Sequence, residues 1–228
     1  MKLLAVETST EACSAALSID GVIEERFEIA PREHTKLILP MIDSLLANAE
    51  LKPQQLDALA FSRGPGSFTG VRISTGVIQG IAYGADLPVV PVSTLAAMAQ
   101  HYIKNTQAEC VFTAIDARMG EIFWGVYKKK QPGYAELVGN EAVTLAENVV
   151  IPDVVTGVGI GSAWAIYEQQ LTQRLGDKLL SFEADHLPRA SAIAELGVIG
   201  FNNNQAVEVE QAMPVYLRDK VAKKESER

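Results

Sequence analysis

Cysteine is nearly absent: two in 228 residues, Cys13 and Cys110, each inside an apolar, strand-like run. So few thiols give no disulfide framework, and both read as small core side chains in a reducing compartment. Histidine is equally sparse. His34, His101 and His186 lie 67 and 85 residues apart, so no local His-x-x-x-His metal pair exists. Positive charge is short as well, with 20 Lys and Arg against 28 Asp and Glu and a net charge of −8. A chain that binds RNA by itself neutralises phosphates with clustered cations. Here the one dense cluster is the final stretch (Arg218, Lys220, Lys223, Lys224, Arg228), diluted by Asp219, Glu225 and Glu227. It reads as a solvated tail. Long apolar runs are missing too. The opening MKLLAVETST has four apolar residues before Glu7, where a signal peptide needs about 7–15 and a membrane span about 20. The expectation is a cytoplasmic protein with no membrane association.

What is present is enough chain for a real core, since 228 residues bury roughly 70–75% of the unfolded surface. KLLAVE, ACSAALSI and VIEERFEI read as three strands, the last two joined at Asp20-Gly21, a hairpin signal. A helix follows over about 33–49, then the strand LDALAFS, a helix over about 67–84, and the strand LPVVPV. A third helix begins after Ser93, a fair N-cap. The pattern is α/β with a mixed sheet. After Ile103 it restarts with AECVFTAID and EIFWGVYK around Ala117–Gly120, a short strand near 136–138, and a loop-rich stretch. PDVVTGVGIGSAW then leads into a helix to about Leu175, and residues 190–203 look helical again. Two lobes that both open with strands suggest internal duplication.

Three segments are candidates for ligand chemistry. Thr8, Ser9 and Thr10 sit at the tip of the first hairpin, where hydroxyls and backbone N–H groups can hold a phosphate. The loop SRGPGSFTG (62–70) leaves a strand tightly, and Ser67 is placed to cap the next helix. It is not a Walker loop, because no Lys-Ser or Lys-Thr follows a glycine at the right spacing. Gly157, Gly159 and Gly161 precede a helix that Ser162 is placed to cap, a layout that can hold an anion.

Taken in order, MKLLAVETST, REHTKLILPMIDSLL, SRGPGSFTGVRISTG and IDARMGEIFWGVY resemble the TsaB (YeaZ) family along most of the chain. The resemblance implies a two-lobed, degenerate actin-like ATPase fold of the duplicated RNase H-like kind. It implies a first lobe of 1–103 plus 188–213, a second lobe of 104–187 and a tail of 214–228. It further implies a non-catalytic subunit of the tRNA threonylcarbamoyladenosine machinery. Such a subunit pairs with a catalytic TsaD-like partner, works with a TsaE-like ATPase, and homodimerises when alone. Contact with tRNA would come only through the complex. No cofactor is expected to be held tightly by this chain, with ATP or ADP placed, if anywhere, at the complex interface or on Thr8, Ser9 and Thr10.

The helices support a partner independently. Around the first helix the apolar residues 37–39, 41, 42, 45 and 46 cover about 200°, where packing on one core takes little over about 100°. The second helix carries Gly76, Gly80 and Gly84 at four-residue spacing, each costing about 1 kcal/mol against alanine, so a packing reason is expected. With the resemblance, the expected contact residues are His34, Leu37, Ile38, Met41, Ile42, Leu45, Arg72, Thr75, Gly76, Gly80 and Tyr83. Two other function classes stay open at this point. One is an active ATPase or kinase of the actin-like superfamily. The other is a serine peptidase using Ser67 with His34 and Asp57, although no G-x-S-x-G elbow is present.

Overall fold

The structure, a computed structural model, describes residues 1–131, 133–153 and 156–218. The basic cluster beyond Arg218 lies outside the described residues. The chain forms two sheets of the same design. In the first, the order is β3-β2-β1-β4-β5: β1 (Lys2–Glu7), β2 (Ala12–Ile19), β3 (Val22–Ile29), β4 (Ala58–Gly64) and β5 (Val89–Ser93). β2 runs antiparallel to β1 and β3, and β4 runs parallel to β1 and β5. The second sheet has the order β11-β10-β6-β7-β8, from β6 (Cys110–Asp116), β7 (Glu121–Lys130), β8 (Tyr134–Leu137), β10 (Gly157–Ile160) and β11 (Leu179–Glu183). Its orientations repeat the first sheet strand for strand, with β9 (Ala142–Leu145) added on β7.

The central strands are apolar throughout because both faces are covered. Leu4, Val6, Leu59 and Phe61 point to the face under α1 (His34–Asn48) and α2 (Phe68–Ala85), packing on Ile38, Ile42, Leu45 and Ile78. The alternate residues Leu3, Ala5, Ala58 and Ala60 meet α6 (Ala190–Asn202). That face is built of small side chains, and the helix comes in close. A Cβ on Gly197 would sit 2.7 Å from the Cβ of Ala60.

The last helix of each half crosses over. α3 (Thr94–Asn105) follows β5, yet it buries Leu95, Met98, Tyr102 and Ile103 against Val111, Ile115, Tyr127 and Ile160 of the second sheet. Only Ala97 joins the cluster on the first. α6 follows β11 and packs on the first sheet. A lobe boundary after residue 103 therefore assigns α3 to one side, whereas its side chains are shared and mostly serve the other. Two strands escaped the sequence pattern: β9 lies in the stretch read as loop, and β11 follows the helix ending at Leu175. Both are short and neither has a buried residue, β9 being mostly half-buried and β11 mostly exposed, so neither shows a clear alternation.

The glycine run before residue 162 also reads differently in three dimensions. Cβ atoms on Gly157, Gly159 and Gly161 would strike Cys110 O, the Trp164 indole and Ala114 O at 2.8, 2.2 and 2.5 Å. These glycines make room for packing. Ser162 makes no cap hydrogen bond, and its Oγ accepts the Asp116 N–H instead (3.1 Å). The short helix α4 (Ala163–Ile166) thus has no anion cradle of the expected kind.

Polar groups close the seam between the halves. Ser93 Oγ and Tyr127 O–H both donate to Glu141, and Tyr102 O–H donates to Glu183 (2.8 Å). His101 and His186 face each other with ring centroids 5.1 Å apart. Burial, and then the neighbouring His101, lowers the His186 pKa from 6.5 to about 4. The unfolded chain therefore takes up this proton first. Stability from neutral His186 is complete above about pH 6.5 and is lost as pH falls toward 4. In denaturant unfolding, His186→Gln should lose about 2 kcal/mol less than the parent chain between pH 7 and pH 4.5. Parallel pH profiles for the two chains would contradict this.

Candidate docking surface

The hairpin turn after β1 is closed by the chain itself. Thr8 Oγ1 donates to Gly70 O (2.7 Å), Ser67 N–H donates to Ser9 O (2.7 Å), and Thr94 O–H donates to Ser9 Oγ (3.0 Å). Glycine is required opposite: Cβ atoms on Gly66 and Gly70 would lie 2.4 Å from Ser9 O and 2.1 Å from Thr8 O. Thr8 and Ser9 are buried, and Thr10 is partly exposed. The loop 64–70 packs directly against Thr8 and Ser9. Ser67 caps α2 as its sequence suggests, accepting Gly70 N–H.

Beneath the turn lies a fully buried Glu7. One of its carboxylate oxygens accepts the Ser9 N–H, while Oε2 has no hydrogen-bond partner. Burial pushes its pKa up to about 7, against the opposing pull of Ser9 and Ser62.

This clasp fixes the start of α2, and with it the direction in which the helix presents its faces. Val71, Ser74, Thr75, Ile78 and Ala82 point inward. Phe68, Arg72, Gly76, Gly80 and Gly84, each four residues on, form one exposed row. Nothing lies within 4 Å of a Cβ placed on Gly76, Gly80 or Gly84. The chain's own packing therefore does not explain these three glycines. Phe68 and Tyr83 are 56% and 81% exposed, and the Arg72 guanidinium lies 3.5 Å from the Phe68 ring centroid. Alongside, Leu39 on α1 is 54% exposed, whereas Leu37 and Met41 are half-buried on the other flank of α1, in the row of Ser44 and Asn48 that bonds Arg26 and Glu24 of β3. A cavity of about 490 Å³ opens between the helices, lined by Leu39, Ile42, Leu46, Leu51, Pro53 and Ile81.

Of the residues expected to form the contact, Arg72, Gly76, Gly80 and Tyr83 lie on this surface, and Leu37 and Met41 are half-buried on the other flank of α1. Five are buried, although Ile42 also lines the cavity. Ile38, Ile42 and Leu45 are core side chains, because the wide apolar arc of α1 includes the row facing β2 and β4. Thr75 is buried with its hydroxyl on Val71 O (2.7 Å). His34 is buried with Nε2 on Thr10 O (2.9 Å) and Ala12 O (3.1 Å), so it braces the hairpin turn. Sequence reasoning missed Phe68 and Leu39 as surface residues. The four-residue row running back from Gly76 would have found Phe68.

The peptidase reading does not survive this geometry. Ser67 Oγ caps α2, His34 holds the hairpin turn, and Asp57 Oδ2 accepts Lys2 N–H (2.6 Å), so each expected triad member is engaged with a different partner.

Two duplicated sheets, each with two antiparallel and two parallel pairings about a central strand, define a protein of the actin-like fold. The family model described as tRNA N6-adenosine threonylcarbamoyltransferase, TsaD, matches residues 19–226. Closer in kind is the Escherichia coli (strain K12) tRNA threonylcarbamoyladenosine biosynthesis protein TsaB, 43% identical over 97% of this chain and 96% of its own. The Bacillus subtilis (strain 168) protein of the same name is 30% identical over 96% of this chain and 94% of its own. Among solved structures, YeaZ from Pseudomonas aeruginosa superposes with a TM-score of 0.88 at 43% identity, covering 95% of this chain and 99% of that one. The chain belongs to the TsaB (YeaZ) family.

Glu7 supplies a test of the closed turn. Its folded-state pKa of about 7 lies above the ordinary 4.5, so stability from the protonated form is complete below 4.5 and is lost as pH rises through 7. Glu7→Gln keeps the acceptor for Ser9 N–H and removes the buried charge. It should raise stability at pH 8 by about 1–2 kcal/mol and flatten the profile between pH 4.5 and 7. A loss of stability at pH 8 would mean that the charged carboxylate has a partner in the fold.

Proposed function

We propose that this chain is a non-catalytic subunit of the machinery that makes threonylcarbamoyladenosine in tRNA, and that it works by docking a TsaD-like transferase through the α1 and α2 face. The single observation that carries the docking is the exposed glycine row, Gly76, Gly80 and Gly84, with open space above each. Gly76 and Gly80 inside α2, with Gly84 in its last turn, weaken the helix unless something uses the flat surface they create. A partner helix whose backbone approaches closely is such a use, and Leu39, Phe68 and Tyr83 supply apolar anchors at the rim. In the isolated chain the same surface pairs with a second copy.

The non-catalytic assignment is supported by what the candidate groups do. The hydroxyls of Thr8 and Ser9 are bonded within the chain and covered by the loop 64–70. Catalysis, any ATP or ADP at the interface, and the grip on tRNA then belong to the assembled complex with its TsaD-like and TsaE-like members. A net charge of −8 fits a subunit that meets tRNA only there. No helix among the described residues is long and apolar enough to cross a membrane, which is compatible with work in the cytoplasm.

Gly76→Leu and Gly80→Leu test the docking. Both side chains enter open space and improve helix propensity, so each variant should match or exceed the parent's stability, by up to about 1 kcal/mol. Each should nevertheless abolish association with the transferase and the reconstituted modification of tRNA. Full modification by either variant, with the fold intact, places the docking surface elsewhere.

A further inference from the structure

The chain does not stop at α6. Residues 205–218 turn back across the first sheet and along α2. Val207 pairs with Val89 at the edge of β5. Gln79 Nε2 donates to Ala212 O (2.9 Å), and Val215 N–H donates to Arg63 O (2.8 Å). Tyr216 then lies on Phe68 with ring centroids 5.9 Å apart, and the Arg72 guanidinium sits over Phe68 and 5.7 Å from the Tyr216 centroid. Tyr216 therefore touches the first two members of the exposed α2 row.

Two residues later the same segment reaches the other lobe. Arg218 Nε donates to Glu121 Oε2 (3.0 Å), Nη2 donates to that oxygen and to Arg118 O (3.3 Å), and Nη1 lies 3.8 Å from the Met119 sulfur. These partners make up the turn between β6 and β7. The turn has an uncommon backbone: Arg118 and Met119 are consecutive non-glycine residues at φ 63° and 59°. Left-handed conformations of this kind are costly without Gly or Asn and persist where surrounding contacts hold them. Asp116 holds from one side, its Oδ1 accepting Arg118 N–H (3.0 Å) and its Oδ2 pairing with the Arg118 guanidinium (3.2 Å). Arg218 holds from the other. The tip is presented to solvent, with Met119 67% exposed.

We propose that residues 212–218 are a coupling strap: a partner on the α2 row fixes the Phe68–Arg72–Tyr216 stack, and Arg218 transmits this by holding the Arg118–Met119 turn in its left-handed form. The inference rests on the docking reading for its input side. On its output side the turn must have a second, relaxed arrangement besides the held one, with the strap biasing the choice between them. That is the physical requirement for coupling between distant sites. The strap gives the partner a route to the second lobe that does not pass through the buried sheets.

Hydrogen–deuterium exchange on the full chain, with and without the TsaD-like transferase from the same organism, tests this at the amides of residues 118–122. In the parent chain, binding should slow exchange there by at least about fivefold, the low end of allosteric coupling. In Arg218→Ala the free chain should exchange faster at these amides, the complex should still form, and the slowing should vanish. Glu121→Gln, which removes the charge and keeps the side chain's shape, should give the same pattern more weakly. Binding by the parent chain with unchanged exchange at the turn overturns the coupling and leaves docking intact. So does full slowing in Arg218→Ala. If the parent chain forms no complex, the docking reading itself has failed, and the coupling falls with it.

Discussion

Two stretches of backbone meet with no side chain between them: the turn at Thr8 and Ser9, and the loop containing Gly66 and Gly70. Most of what matters in this molecule depends on that contact. It allows hydrogen bonds from Ser67 N–H and from the Thr8 hydroxyl across the gap. It encloses Glu7 so completely that its carboxyl titrates near neutrality. It also sets where α2 begins and how it is rotated, and so which side chains that helix turns outward. An alanine at either glycine would push the loop off the turn, because the obstructing atoms are backbone oxygens that cannot swing aside. Closing the turn with the protein's own backbone makes it a rigid platform.

The platform is steadied by the way the duplicated halves interlock. Each half ends in a helix that packs on the other half's sheet, α3 on the second and α6 on the first, and the two helices touch along the seam. The halves therefore share their cores, and Glu141, Glu183 and the histidine pair add polar contacts between elements far apart in sequence. The Arg118–Met119 turn lies outside this seam, with Met119 exposed and Arg218 bonded to its base.

Much of this was legible in the sequence, and the failures have physical reasons. The alternation of strands and helices, the Ser67 and Ser93 caps and the two-sided apolar character of α1 follow from local chemistry. Periodicity shows that α1 is apolar over too wide an arc, but it cannot say which row faces the sheet. Ile38, Ile42 and Leu45 therefore look as available as Leu37 and Met41 until the fold is seen. His34 and Thr75 look polar and exposed, yet their hydrogen-bond partners are backbone carbonyls at Thr10, Ala12 and Val71. The packing of α3 on the second sheet leaves no local trace, since an alanine-rich helix packs equally well on either sheet, whereas the family resemblance itself implies that residues 188–213, which include α6, belong with the first lobe. Gly159 and Gly76 look alike in sequence, though one accommodates a tryptophan and the other faces open space.

The central claim is that the bare row on α2 is covered in the working assembly. Hydroxyl-radical footprinting of the chain, alone at low concentration and with the TsaD-like transferase, measures this at side chains already on the surface. Tyr83 and Leu39 should lose reactivity in the complex, whereas Leu180, 66% exposed on β11 at the edge of the second sheet, should keep its own. A complex in which Tyr83 and Leu39 react as they do in the free chain would contradict the account.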